Sequence, residues 1–214
     1  MVEPTLNQIE VRVLGSLIEK SITTPDNYPL SLNALVNACN QKSNRDPVTE
    51  FDGETVGVAL ASLREKALVH IIMGGDSRVP KYRHYFEEMY HLTRAEAAIL
   101  CELMLRGPQT AGELRGRIER LNAPLSMAEA EEVIRGLMMH PEPLIARLPL
   151  QQGRRDVRYA HLLAGEPIVS EEAEPAPRSS REDRLIALED EVQRLRRELN
   201  ALREDFTEFR RQFE

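Results

Sequence analysis

The sequence predicts a mainly helical α+β protein: two tandem winged helix-turn-helix domains followed by a C-terminal coiled-coil helix. Three observations carry this reading. The stretch Leu6-Asn7-Gln8-Ile9-Glu10 recurs as Leu92-Thr93-Arg94-Ala95-Glu96. Each copy leads through two further helical patterns into a pair of β-prone runs. The C-terminal residues then hold an unbroken apolar repeat at alternating spacings of three and four. The expected divisions are 1–90 for the first domain, 91–164 for the second, 165–181 for an acidic, Pro-rich linker and 182–214 for the coiled coil.

The elements follow in order. Asn7 and Thr93 are N-cap residues with Glu three positions on, so each first helix opens with a capping box and a Leu staple before it. Val13, Leu14, Leu17 and Ile18 correspond to Ile99, Leu100, Leu103 and Met104, all on one helical face. Ser31 and Thr110 open a short second helix, Thr110 pairing with Glu113 in another box. A third helix is expected over about 54–67 and 127–139, the latter boxed by Ser126 and Glu129. Runs 68–73 and 144–148, then 81–85 and 158–162, read as the strands of two hairpins, or wings.

In the tail, Leu185, Leu188, Val192, Leu195, Leu199, Leu202, Phe206, Phe209 and Phe213 fill the a and d positions of a heptad. Glu191, Glu198 and Asp205 at g face Arg196, Arg203 and Arg210 at the following e of a parallel partner. Each pair contributes about 0.2–1 kcal/mol, so the seam drives association and the charges choose orientation. A parallel homodimer is expected, and a tail folded back onto its own chain is the alternative.

The run Thr23-Thr24-Pro25 through Tyr28-Pro29-Leu30-Ser31, then Ala38-Cys39-Asn40-Gln41-Lys42-Ser43-Asn44-Arg45-Asp46-Pro47-Val48, strongly resembles the YceH-like family of uncharacterised bacterial proteins. Arg78-Val79 with Lys81-Tyr82 adds to the match, as does Leu105-Arg106-Gly107 through Thr110-Ala111-Gly112-Glu113-Leu114-Arg115. The likeness spans about residues 5–165. It implies tandem winged-helix domains and leaves the biochemical role open.

Composition narrows that role. The formal net charge is −7, and no segment has the positive excess that announces phosphate binding. The chain lacks the roughly 20 consecutive apolar residues of a membrane span and begins without a signal-peptide pattern, so a cytoplasmic protein is expected. Cys39 and Cys101 stand alone, and the five histidines lack ligand spacing. Metal and cofactor sites are therefore not expected. The same holds for enzyme activity, because no Gly-rich phosphate loop or nucleophile motif is present.

Nucleic acid is the default partner of a winged helix, read by its third helix. Here those helices are poor readers: the first is rich in Gly, Ala, Ser and acid, and the second carries Glu129, Glu131 and Glu132. The first copy offers instead an amide stripe, Asn33, Asn37, Asn40, Gln41 and Asn44, leading into Lys42 and Arg45, with wing cations Arg78, Lys81 and Arg83. Strand alternation sets Lys81 and Arg83 on one face, and Tyr82 with His84 on the other. The amides serve equally well as caps and ties for the loop running to Val48. Arg154, Arg155 and Arg158 mark the second wing, while Arg115, Arg117 and Arg120 are balanced by Glu113 and Glu119. Two functions result: a dimeric nucleic-acid-binding regulator, which the fold favours, and a protein-interaction scaffold, which the acidic third helices favour.

Overall fold

The computed structural model describes residues 6–74, 77–151 and 153–165. Seven α-helices and two small antiparallel sheets are found among them. The heptad positions Leu185 to Phe213 and residues 166–181 of the acidic linker lie outside the described residues, as does the Arg78 side chain.

Each half runs three helices into a hairpin. The first comprises α1 (Gln8–Thr23), α2 (Leu32–Cys39) and α3 (Gly53–Glu65). A two-residue strand, β1 (Leu30–Ser31), precedes α2, and β2 (Val69–Gly74) and β3 (Ser77–His84) follow α3. A short helix, α4 (Phe86–Tyr90), connects to α5 (Arg94–Arg106), α6 (Ala111–Arg117) and α7 (Met127–Met138). Strands β4 (Ile145–Arg147) and β5 (Tyr159–His161) close the second half.

All four expected capping boxes form, at Asn7/Glu10, Thr93/Glu96, Thr110/Glu113 and Ser126/Glu129. Each satisfies two backbone donors that a helix start otherwise leaves unpaired. The helices consequently begin where the sequence places them.

The two first helices form the centre of the fold. Ten consecutive residues of α1, Glu10 to Glu19, are buried, as are nine of α5, Ala97 to Leu105. A helix buried on every side needs partners on every side: α1 packs on α2 and α3 of its own half and on α5 of the other. The repeat sets Gly15 against Cys101, and these two meet, the Cys101 thiol donating to the Gly15 carbonyl at 3.4 Å. A Cβ on Gly15 would lie 3.1 Å from Leu105 Cδ2 and from Met104 Cβ, so glycine permits the close approach. One continuous core from Leu6 to Leu163 results, and the Leu6 N–H donates to the Leu163 carbonyl at 2.7 Å.

The first sheet has the order β1-β3-β2, with Leu30 opposite Tyr82 and Ile71 opposite Tyr82 on its other side. Pro80 lies in the central strand but past the end of β1, whose last residue pairs with Lys81. Its missing N–H therefore costs no ladder bond.

Candidate interaction surface

The cation and amide run that the sequence singles out has two fates. Asn33, Asn37 and Lys42 are exposed and Gln41 is half-buried. Lys81 and Arg83 are exposed on β3 while His84 is buried, matching the expected alternation. Arg83 is held by Glu88 at 3.1 Å.

The rest of the run turns inward, which corrects the amide stripe. Helix α2 ends at Cys39, so Asn40 is its C-cap rather than a continuation of the face. The Asn40 side chain donates to the Phe51 carbonyl at 2.7 Å and accepts from the Phe51 N–H at 2.8 Å, pinning the loop like a strand pair. Asn44 adopts a left-handed backbone, φ 58°, a conformation asparagine tolerates better than most residues. Its Oδ1 accepts from Arg106 of the other half.

Arg45 is the clearest correction. Its side chain has no exposure and grips Glu19 with both terminal nitrogens, at 2.5 and 3.2 Å. It also donates to the Ala38 carbonyl at 2.7 Å and to the Asn44 carbonyl at 2.9 Å. A guanidinium with a fork-shaped set of donors can satisfy a buried carboxylate and a loop backbone together, and Arg45 does so here. It is not available to phosphate.

Glu19 opens a charge cluster between the halves that the sequence does not announce. Arg120 bridges Glu19 and Glu102, each at 2.6 Å, and Arg106 Nε lies 3.3 Å from the second Glu102 oxygen. Burial pushes the Glu19 pKa up, but the hydrogen bonds and charges of Arg45 and Arg120 outweigh it and hold the carboxyl below its ordinary value. Arg120 thus answers two buried acids across the halves rather than its neighbour Glu119. One signal in the sequence could have found the cluster: Glu102 is the single charge within the apolar run Ala97 to Leu105. Nearby, Arg12 ties the same loop to α1 through the Pro47 carbonyl at 2.6 Å.

A serine–histidine contact also occurs. Ser21 donates to the Ile18 carbonyl at 2.8 Å, and its oxygen lies 3.0 Å from His84 Nε2. The Phe86 N–H donates to His84 Nδ1 at 3.4 Å, which leaves Nε2 as the ring's donor; with the hydroxyl given to Ile18, that arrangement does not activate the serine. Burial lowers the His84 pKa to about 4, with Glu88 raising it and Arg83 lowering it further. Among the described residues, no group of three or more His, Cys, Asp and Glu is placed to hold a metal ion. No helix among them is long and apolar enough to cross a membrane.

The Cys39 to Pro47 run, which carries much of the family resemblance, is thus largely a lock between the two halves. Residues 6–154 match the model of a family described as a protein of unknown function, DUF480. The chain belongs to that family. A UPF0502 protein of Opitutus terrae is 52% identical over 194 residues, covering 90% of this chain and 84% of its own. Others from Pelobacter propionicus and Geotalea uraniireducens are 48% and 51% identical over 219 residues, covering 99% of this chain and all of theirs. The expectation of an uncharacterised bacterial family holds.

What the described surface offers outward is mixed. On α3 the exposed positions are Glu54, Val58, Ala61, Arg64 and Glu65, with Val58 67% exposed. On α7 they include Met127, Glu129, Glu131, Glu132, Arg135 and Met138, and Met139 follows at 78%. Ile72, Met73 and Val79 add exposed apolar surface on the first hairpin.

Proposed function

We propose that the chain is a non-enzymatic, dimeric scaffold: two winged-helix modules in tandem that bind a protein partner, paired with a second copy through the C-terminal heptad seam. The repeated order of three helices and a hairpin supports the winged-helix reading. The observation that carries the choice of partner is the outer face of the third helices. In a DNA-reading module that helix enters the major groove. Here it would bring Glu54 and Glu65, or Glu129, Glu131 and Glu132, toward phosphates, where carboxylates repel. Exposed Val58, Met127 and Met138 between acids suit a protein interface, whose centre is apolar and whose rim is polar.

A second reading keeps nucleic acid as partner. It rests on Asn33 and Asn37 on α2, Lys42 just past its end, and Lys81 on β3, which pairs with Ser31 before α2; all four remain exposed. With Arg45 buried and Arg83 answered by Glu88, that patch has few cations left for phosphate.

The test is a photo-reactive amino acid placed at Val58, and separately at Met127, with irradiation in the native host. Adducts that resist nuclease and are destroyed by protease are expected. Adducts destroyed by nuclease at both positions would overturn the scaffold reading.

A further inference from the structure

The two edges of the first sheet differ in a way that points to a ligand. On one side β1 is two residues long, a protected edge. On the other, β2 runs Val69-His70-Ile71-Ile72-Met73-Gly74 with no charged residue and no proline. Its only irregularity falls past Ile72, at the hairpin end. Exposed strand edges of this kind are normally blunted, because their free N–H and C=O groups recruit another strand.

The register shows which groups are free. In an antiparallel pair, hydrogen-bonded and non-bonded positions alternate. The Tyr85 N–H donates to the Leu68 carbonyl at 2.8 Å, so the bonded pairs continue as His70–Arg83 and Ile72–Lys81. Consistently, the His84 N–H donates to the Tyr28 hydroxyl at 2.7 Å and not to Val69. Val69 and Ile71 therefore turn their backbone N–H and C=O away from β3; Ile71 is half-buried, whereas Val69 is only 2% exposed, so the accessible donor and acceptor are those of Ile71. Among the described residues, no strand or loop backbone pairs with them.

Beside this edge lies a cleft of about 590 Å³ between β2 and the end of α3. Its walls include the small residues Ala61 and Ala67, Val69 and the outward-turned Ile71, and both Arg64 and Glu65. Arg64 is exposed and holds no ion pair among the described residues, whereas Arg45, Arg83, Arg106 and Arg120 are each matched to an acid. A backbone donor and acceptor side by side on one strand residue, Ile71, are complementary to an extended peptide backbone. The alanine floor leaves room for a side chain, and the cation lacks a carboxylate.

We propose that the free edge of β2, with the cleft beside α3, docks an extended segment of a protein partner as an added strand that sets a carboxylate against Arg64. This deepens the scaffold reading and rests on it for the class of partner.

The test uses full-length protein and a displayed library of random dodecapeptides. Selected peptides are expected to carry an acid beside alternating apolar residues and to slow hydrogen exchange at the Ile71 amide. Ile71→Pro removes an outward N–H and spares the ladder to β3. It should weaken those peptides at least about tenfold, the scale of a backbone hydrogen bond lost at a desolvated edge, while thermal unfolding confirms that the variant folds. Arg64→Glu, far from the core, should select against acidic peptides and serves if Ile71→Pro fails to fold. Selected peptides that protect the outer faces of α3 or α7 instead would overturn the edge site and leave the scaffold reading standing. Recovery of no specific peptide would also overturn it, and cross-linking at Val58 and Met127 would still judge the scaffold reading separately.

Discussion

Arg120 shows how one side chain holds two halves together. It is 30% exposed, yet both its partners are buried, Glu19 at 1% and Glu102 at 0%. Arg120→Ala leaves two carboxylates short of a cation in a low-dielectric setting. Breaking such a pair costs about 3–5 kcal/mol when fully buried, and the partial exposure of Arg120 places the expected loss near the lower value. Urea unfolding should show a lower midpoint with an unchanged slope. Two histidines, His84 buried and His161 half-buried, give the pH dependence. Burial holds His84 and His161 near a pKa of about 4, below the roughly 6.5 of an unfolded histidine. The folded protein refuses a proton that the unfolded chain accepts, so stability is complete above pH 6.5 and falls as pH drops toward 4. Each contributes at most about 1.4 kcal/mol per pH unit. His84→Gln should remove about half of that slope in unfolding midpoints measured across the range. Glu102 marks a buried acid in the sequence, but neither its bridge to Arg120 nor the fate of Arg45 is legible there. Periodicity tells which face a residue occupies, but not which distant acid waits there. Asn40 misleads for a related reason, since the amide pattern runs on past the point where α2 stops.

At the scale of elements, local signals are legible. Capping boxes and apolar spacing involve residues a few positions apart, so the starts of α1, α5, α6 and α7 follow from the sequence alone. The two-residue β1 and the short α4 do not, because each owes its form to tertiary contacts: β1 pairs with Lys81 and Tyr82, and α4 buries Phe86 and Tyr90. The packing of α1 on α5 is hidden too, although both copies of the repeat carry the apolar face. Gly15 is where that packing is most demanding. Gly15→Leu would drive a side chain into Leu105 and Met104, already within 3.1 Å of a bare Cβ. Overpacking of a tight contact costs about 1–3 kcal/mol. The expected result is a lower thermal midpoint, together with faster hydrogen exchange in both central helices rather than in one.

For the whole molecule, the tandem copies share one core, and the loop from Cys39 to Pro47 is fastened to both. A scaffold built this way presents two third helices and a strand edge from a fixed frame. The heptad tail would double them, and avidity then follows from the linkage rather than from any new contact. Light scattering should give twice the chain mass for the full protein and the chain mass after removal of residues 182–214. The central claim is that the partner is a protein rather than a duplex. It is tested most directly by the fluorescence anisotropy of a labelled random duplex titrated with full-length protein at several salt concentrations. The scaffold predicts no binding even at low salt. Binding with a steep negative salt slope, abolished when Lys42 and Lys81 are replaced by alanine, would contradict it and count the phosphates engaged.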